Sequence, residues 1–450
     1  MRLLSVAQFG RYREFLLYVG LFTAVAAFGI NNSLLYFVPA RPEHAWRFVR
    51  QAVLMIAFNS IVGVILLVTL DTLFHGALVG EFLVPVCLYV VLFVNVDFWE
   101  YLWLALKRPG AVFAYSSGRV LARMTVVIVA ASLSRDVDVI IASLVGLEAV
   151  RLVGSLIAWR YQVRTVEPAL AGSWREQLHF CTPVGVGLVL VTLNKSAAGL
   201  FIAKAMGPVA LAHYAIGTYV EPLISILRNS LSDALLPEMA DSRRGQGDQL
   251  ALWRRTTVVS AVMLLPAGLL LHRFAEPLVT MLFSHEYLPA ALVLQIYVLV
   301  LIRDCFDYGV VLRALNRTTP IVTSNVAAFI ANLGLLVVLV PVLGLTGAVI
   351  AFVVSRFVDG LYLTWRTMQL YGVSLRELAC WDDLARVALA SLIAAVPLYA
   401  FHWIDFMGIA GVIPGVLVFA ATFAVSLRAL RLPEAIRVFR RLRLPLGARP

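Results

Sequence analysis

The sequence is 450 residues long, and 61% of its residues are hydrophobic while only 14% are charged. A soluble domain would carry roughly 25% charged residues, and a chain this apolar would expose large hydrophobic patches in water. The net charge of +11 is spread over many loops, which favours contact with anionic lipid head groups and argues against a nucleic-acid partner.

The apolar segments are continuous and about 20 residues long, the length of an α-helix that crosses a bilayer core of about 30 Å. Because backbone groups must be satisfied internally in lipid, we predict an all-α integral membrane protein with about thirteen transmembrane helices. A transmembrane β-barrel would instead show alternating segments of about 10 residues. The helices are predicted at 14–38, 51–74, 80–104, 113–133, 138–159, 178–203, 208–237, 256–273, 288–312, 320–341, 344–366, 383–404 and 407–428.

Basic residues are concentrated in every second loop, as the positive-inside rule predicts for cytoplasmic loops. The loop after the first span has three arginines, the loop at 71–80 has no Lys or Arg, and the next basic group is Lys107, Arg108, Arg119 and Arg123. The basic tail predicts a cytoplasmic C-terminus with a short helix on the membrane surface. Thirteen spans would then place the N-terminus outside, although its first segment is basic and shows no signal-peptide pattern.

The two halves of the sequence resemble each other weakly. NSLLYFVP at 32–39 resembles NSLSDALLP at 229–237, and IAWR at 157–160 resembles LTWR at 363–366, 206 positions later. Both pairs occupy the same topological context, which predicts two lobes built as parallel repeats around a central cavity. The predicted division is an N-terminal lobe at 1–165, a C-terminal lobe at 170–372, two additional spans at 380–430 and a basic cytoplasmic tail at 431–450.

Two segments carry motifs of a known family. LNKSAAGLFIAKAMGPVALAHYAIGTYVEPLISILRNSLSDALLPEMA, at 193–240, combines a polar pair near the end of a span, a Gly-containing turn, Tyr-x-x-Gly, Glu-Pro-Leu and a late Leu-x-Pro. QFGRYREFLLYVGLFTAVAAFGINNSLLYFVPAR, at 8–41, is similar to the family's second span and its approach. With this layout the chain resembles the polysaccharide flippases of the multidrug/oligosaccharidyl-lipid/polysaccharide exporter superfamily.

The resemblance implies a flippase that moves lipid-linked oligosaccharide, on a polyprenyl-pyrophosphate carrier, across the bacterial inner membrane by alternating access. The product would be O-antigen or exopolysaccharide. The implied partners are membrane lipids and the polysaccharide polymerase or glycosyltransferase machinery, and no cofactor is implied. Members of the family have twelve or fourteen helices with both ends cytoplasmic. RLLSVAQFGRYREF, at 2–15, resembles the loop after the family's first span. With thirteen predicted spans, the first of fourteen helices is therefore expected to be missing here, and the first lobe is expected to begin at the second span.

Charged residues within the predicted spans are costly in lipid and are therefore candidate functional residues. Helical spacing predicts local ion pairs for Glu148 with Arg151, Arg356 with Asp359 and Arg303 with Asp307. Asp97 and Glu100 likewise share one helix face. The charges predicted to have an ion-coupling or structural role are Asp97, Glu148, Arg151, Arg303, Asp304, Asp307 and Asp359.

The resemblance places the spans that carry Lys195, Glu221 and Arg228 beside the central cavity. Cationic groups there would stabilise a pyrophosphate head group, and Glu221 would balance them or take a coupling proton. Asparagines would bind sugar hydroxyls, with helix packing as the alternative, and Lys195 alternatively extends to the interface. The predicted substrate-binding residues are Lys195, Arg228, Glu221, Asn194, Asn31, Asn32 and Arg356.

Three other functions stay open. A multidrug or cation antiporter of the same superfamily would have a more acidic cavity, and a flippase for lipid-linked peptidoglycan precursor would share the layout. A membrane-embedded polymerase or glycosyltransferase would need an external catalytic loop, whereas the loops here are short and without a histidine cluster or paired carboxylates. We therefore predict a transporter rather than an enzyme, and the four cysteines and seven histidines show no metal-binding spacing.

Overall fold

The computed structural model describes residues 4–76, 78–162, 173–240, 245–315, 317, 319–400 and 411–430. Those residues form α-helices, short 3₁₀ turns and connecting loops, without a β-strand among them, so the predicted all-α fold is confirmed. The first nine helices are α1 (Val6–Ala27), α2 (Ile30–Ala40), α3 (Ala45–Leu73), α4 (Leu83–Ala105), α5 (Pro109–Ser134), α6 (Val137–Gln162), α7 (Ser173–Met206), α8 (Pro208–Gly217) and α9 (Glu221–Ala240). The others are α10 (Gln246–Arg273), α11 (Ala275–Leu282), α12 (Pro289–Tyr297), α13 (Val300–Asp304), α14 (Tyr308–Ala314), α15 (Thr319–Tyr371), α16 (Leu375–Leu378), α17 (Trp381–Ala400) and α18 (Val412–Ala429).

Within the described residues, 11 helical segments are long and apolar enough to cross a membrane, and α1 with α2, bent by 43°, makes a twelfth. The 53 residues of α15 would reach about 80 Å as one helix, far more than a bilayer core needs. Gly344 interrupts α15 at φ 59°, and the Thr323 hydroxyl lies 2.8 Å from that of Tyr362, so α15 is a hairpin of two spans. This count agrees with the thirteen predicted spans.

The predicted span 288–312 is three short helices, α12 to α14. The last break is at 305–307, where Asp307 leaves the helical conformation and caps α14 by accepting a hydrogen bond from the Val310 amide at 3.2 Å. The Trp253 indole N–H donates to the Asp307 carbonyl at 2.9 Å and ties the break to α10. The Val310 amide and the Asp307 carbonyl at this break are therefore both hydrogen-bonded within the protein, as the interior of a membrane requires.

By packing, the chain divides into two compact units, residues 1–212 and residues 213–450. The predicted lobe boundary at 165–170 and the predicted tail at 431–450 lie outside the described residues. α7, which the repeat assigns to the second lobe, packs against α1 and α2 inside the first unit. The division by internal repeat thus differs from the division by packing, and the lobes stay a prediction.

α7 runs antiparallel to α1 and α2. Near its start the Gln177 amide donates to the Ser33 hydroxyl at 2.8 Å, and near its end Lys204 Nζ lies 3.5 Å from Glu14 Oε1. Between them Gly199 allows close approach, because a Cβ at that position would lie 2.8 Å from a methyl group of Leu17. Small residues at such contacts are typical of helices that pack within membranes.

Ion pairs of the first unit mark the two ends of the span formed by α1 and α2. Arg11, near the start of α1, pairs with Glu81 at 3.0 Å and Asp138 at 3.3 Å, which begin the approach to α4 and α6. At the opposite end Arg41 binds Glu176 through both guanidinium nitrogens, at 3.0 and 2.9 Å. The N-terminus of α1 therefore lies at the end opposite to the arginine-rich loop after α2, as expected if α1 and α2 form one span.

Candidate functional site

A cluster of charged side chains lies within the helices of the second unit. Asp304 of α13 stands between two arginines that come from different helices. Arg228 Nη1 of α9 lies 3.2 Å from Asp304 Oδ2, and Arg356 Nη2 of α15 lies 3.3 Å from Asp304 Oδ1. Each carboxylate oxygen thus has its own guanidinium partner.

A second pair forms the buried side of this cluster. Arg303 pairs with Asp359, and their side chains are 9% and 4% exposed. Arg303 fits there because the next residue of α15 is Gly360, where a Cβ would lie 3.1 Å from Arg303 Cγ. Arg303 Nη1 also lies 3.5 Å from Asp304 Oδ1, so the two pairs form one network.

In direct contact, three guanidinium groups face two carboxylates, and the Asp307 carboxylate adds a third negative charge that acts on Arg303 at longer range. Arg303 and Asp359 balance each other in the buried part. Arg228 and Arg356, which are 24% and 21% exposed, share Asp304 between them. The partly exposed side of the cluster therefore consists of two guanidinium groups around the Asp304 carboxylate.

The structure corrects one predicted local pair and confirms two. The pairing of Arg303 with Asp307 is wrong, because α13 ends at Asp304 and the four-residue helical spacing no longer applies. Arg356 and Asp359 do pair within their helix, at 3.5 Å, although Arg356 also binds Asp304.

The first unit contains a corresponding cluster on α4, α5 and α6. Arg119 of α5 binds two carboxylates of α4, with Nη1 2.7 Å from Asp97 and Nη2 2.8 Å from Glu100. Ser116 donates a hydrogen bond to Glu100 at 2.8 Å. The three charged side chains line a cavity of about 330 Å³ together with Phe93, Tyr101 and Leu104.

Deeper in the same cluster, Glu148 and Arg151 form the predicted pair within α6. Arg151 also donates to the Tyr115 hydroxyl at 2.6 Å, and the Tyr89 hydroxyl lies 3.4 Å from Glu148. The ion pairs of this cluster join two guanidinium groups to three carboxylates, and Arg123 acts on Glu148 at longer range.

Arg119 is a site residue that the sequence interpretation missed. Its neighbours Lys107 and Arg108 led to its assignment to a basic loop, whereas the structure places it in α5 on the acidic face of α4. The signal was present, because Arg119 lies inside the predicted span 113–133, where an unpaired charge is costly.

We expect Arg119→Leu to lower the free energy of unfolding by about 2 kcal/mol, because Asp97 and Glu100 would lose their shared counter-ion within the helices. Arg119→Lys should recover part of the loss, since one ammonium group reaches either carboxylate. Thermal unfolding of the purified protein in detergent measures both variants. Equal stability of wild type and Arg119→Leu would contradict the ion-pair geometry.

The two clusters occupy corresponding positions of the internal repeat. Asp97 and Asp304 are 207 positions apart, and Arg151 and Arg356 are 205 positions apart, close to the 206 that separates IAWR from LTWR. In one unit a guanidinium group joins two carboxylates, and in the other a carboxylate joins two guanidinium groups. The charge pattern is therefore inverted between the repeats.

Comparison with known proteins identifies the family. Residues 1–292 match the family described as polysaccharide biosynthesis protein. The chain belongs to the polysaccharide biosynthesis protein family. No curated protein sequence matches it.

Three solved structures share the fold of this polysaccharide biosynthesis protein. The lipid II flippase MurJ, in an inward closed conformation, aligns with a TM-score of 0.69 and 15% identity over 94% of this chain and 99% of MurJ. An inward-facing multidrug resistance transporter of the MATE family, from the MOP superfamily, gives a TM-score of 0.60 and 16% identity over 82% and 91% of the two chains. An outward-facing MATE structure gives 0.55 and 16% over 81% and 88%. The predicted resemblance to polysaccharide biosynthesis proteins is confirmed, and the likeness to the flippase and the MATE transporters is one of fold.

Among the predicted substrate residues of the family member, Arg228 and Arg356 are brought together through Asp304. Glu221 is half-buried at the first position of α9, two turns before Arg228. The predicted span that carries both is divided, because residues 218–220 separate α8 from α9. Their role toward a substrate stays a prediction.

The predicted asparagines lie at different depths. Asn31 is buried at the start of α2, beside Gly29, which contacts the Gly185 backbone of α7. Asn194 is also buried but lies nine residues further along α7, about 14 Å along its axis. Lys195, the next residue, is exposed. Asn32 is half-buried in α2. Asn31 and Asn194 therefore do not form one compact sugar site.

Proposed function

We propose that the protein translocates lipid-linked oligosaccharide across the bacterial inner membrane. The observation that carries this proposal is the family match over residues 1–292 in a chain whose fold is that of a lipid flippase. The substrate would be a polysaccharide repeat unit on a polyprenyl-pyrophosphate carrier, and it would be moved by alternating access without covalent chemistry. The protein would act as a transporter, not an enzyme, beside the polymerase and glycosyltransferases that use the same lipid, with its C-terminus in the cytoplasm.

The charge of the second-unit cluster supports an anionic substrate. Arg228 and Arg356 are both partly exposed, and both bind the carboxylate of Asp304. A guanidinium group binds phosphate oxygens through two parallel hydrogen bonds, and this interaction is stronger in a low dielectric than in water. With these arginines, Lys195 and Glu221 would contribute to the substrate path, and Asn31, Asn32 and Asn194 would contact sugar at different depths.

A flippase for lipid-linked peptidoglycan precursor is the second candidate. The fold alignment with MurJ, which covers 99% of that chain, favours it over a multidrug antiporter. Both flippase functions need a cationic contact for pyrophosphate, so this contact does not distinguish them. They differ in the sugar that the protein accepts. Substrate choice in cells separates them.

Complementation distinguishes the two flippase functions. We expect the chain to restore surface polysaccharide in a bacterial strain that lacks its polysaccharide flippase, and Arg228→Gln to reduce the restored polysaccharide at least about tenfold, since a lost charged contact costs about 1.5–3 kcal/mol. Asp383→Asn is the matched control, because Asp383 pairs with Arg386 near the start of α17, where the Arg386 side chain is 47% exposed.

Expression and membrane insertion of each variant are checked by immunoblot of membrane fractions. Rescue of a strain depleted of its peptidoglycan-precursor flippase, without rescue of surface polysaccharide, would favour the second candidate. Rescue of neither strain by a well-inserted wild-type chain would refute both.

A further inference from the structure

Asp304 occupies the place that an oxyanion ligand would take between two arginines. From this geometry we infer that Arg228 and Arg356 form an oxyanion cradle, that Asp304 is its internal ligand, and that a phosphate group of the substrate displaces Asp304 during binding. The inference rests on the proposed function, which supplies a pyrophosphate head group. It identifies Asp304 as a residue that sets substrate affinity without needing to contact the substrate.

The cradle has the geometry of a phosphate site. Its two guanidinium groups come from different helices, α9 and α15, and approach opposite oxygens of one carboxylate at 3.2 and 3.3 Å. Two arginines around one oxyanion are the arrangement that proteins use for phosphate, which carries more charge than a carboxylate. A phosphate group would therefore bind the two guanidinium groups more strongly than the Asp304 carboxylate does.

Displacement of Asp304 would leave no carboxylate without a partner. Arg303 Nη1 already lies 3.5 Å from Asp304 Oδ1, on the side away from Arg228. A small shift of Asp304 toward Arg303 would keep it paired while Arg228 is released. An exchange of partners avoids the cost of a buried, unpaired charge, which would otherwise oppose binding.

Arg228 is the more easily exchanged of the two arginines. Its ion pair with Asp304 joins α9 to α13, and its side chain is the most exposed of the cluster, at 24%. Arg356 has a second carboxylate partner in Asp359, at 3.5 Å, which would hold it in place. Substrate binding would therefore release α9 from α13 and leave α15 attached.

The internal ligand would also limit affinity. A transporter must release its substrate, so a site that binds too tightly would stop the cycle, as it does for ion permeation. Removing the carboxylate should therefore tighten binding and slow release. This sign is opposite to the one expected if Asp304 only supported the fold.

The test uses titration calorimetry to measure the binding of inorganic pyrophosphate and of farnesyl diphosphate to the full-length protein in detergent. We expect Asp304→Asn to tighten binding of both ligands about tenfold and Arg228→Gln to weaken it about tenfold. Asp383→Asn should bind as wild type does. Vesicle lipids with a single phosphodiester, such as phosphatidylglycerol, should compete weakly, which separates pyrophosphate recognition from general lipid binding.

Thermal unfolding of each variant establishes that it is folded, and Arg228→Lys provides a second test if Asp304→Asn unfolds. Arg228→Lys retains the positive charge but cannot make a bidentate contact with phosphate, so this variant should bind both ligands more weakly than wild type. Unchanged or weaker binding by a folded Asp304→Asn protein would overturn the inference, as would the absence of any binding by wild type, or equal binding by Arg228→Lys and wild type.

The outcome is distinguishable from failure of the proposed function. If the chain restores surface polysaccharide but Asp304→Asn does not tighten binding, the cradle is refuted and the flippase function stands. If the affinity changes follow the expected order but no strain is rescued, the cradle stands as an anion site and the proposed substrate is refuted.

Discussion

Asp359→Ala is expected to lower the free energy of unfolding by about 3–5 kcal/mol, the cost of removing one partner from a buried ion pair. Arg303, whose side chain is 9% exposed, would lose the carboxylate that pairs with it within the second unit. Asp304 cannot replace it fully, because it already serves Arg228 and Arg356. The measurement is thermal unfolding in detergent, monitored by intrinsic fluorescence.

The control for this variant is Glu176→Ala, which breaks an ion pair of good geometry at an exposed position. Arg41 and Glu176 are 43% and 45% exposed, so water screens their attraction and the expected change is below about 1 kcal/mol. Similar losses for Asp359→Ala and Glu176→Ala would show that burial of the Arg303 pair is not what determines its contribution.

Gly10→Ala is expected to be the other severely destabilising change, by about 3 kcal/mol. A Cβ at Gly10 of α1 would lie 1.8 Å from the carbonyl oxygen of Pro208, a backbone atom that cannot rotate away. α1 would have to move away from the start of α8, and this movement would also disturb the packing of α1 on α7. Overpacking of a close contact commonly costs about 1–3 kcal/mol. The upper end of that range is expected here because the backbone must move.

Gly20→Ala is the matched control because it lies in the same helix, with no atom within 4 Å of the added methyl group. Alanine favours a helix over glycine by about 1 kcal/mol, so Gly20→Ala should be neutral or slightly stabilising. Unfolding temperatures of the two variants in the same detergent give the comparison. If Gly10→Ala unfolds at the wild-type temperature, α1 and α8 do not make this contact.

The sequence predicts the helices well because the bilayer fixes their length and leaves the backbone no other way to satisfy its hydrogen bonds. The turn at 341–345 was identified in this way, and it is the break at Gly344 that makes α15 a hairpin. Pairs within one helix, such as Glu148 with Arg151, also follow from spacing alone. These features depend on residues that are close in sequence.

Contacts between helices could not be predicted, because helical spacing does not specify which face meets which neighbour. Asp304 was recognised as a charge within a span, but nothing in its local sequence indicates that Arg228 and Arg356 both reach it. The assignment of Asp307 to a local pair failed because the helix ends three residues before it. Arg119 was missed for a related reason, since its partners Asp97 and Glu100 lie on another helix.

We propose that this polysaccharide biosynthesis protein moves a pyrophosphate-linked oligosaccharide across a bilayer. The most direct measurement reconstitutes the full chain in vesicles that contain a fluorescent polyprenyl-diphosphate oligosaccharide and follows its loss of protection from an external quencher. We predict that the protein speeds exposure of inner-leaflet substrate well above the protein-free rate, and that Arg228→Gln slows it at least about tenfold while Asp383→Asn does not. Exposure at the protein-free rate, in vesicles that contain folded wild-type protein, would contradict the account.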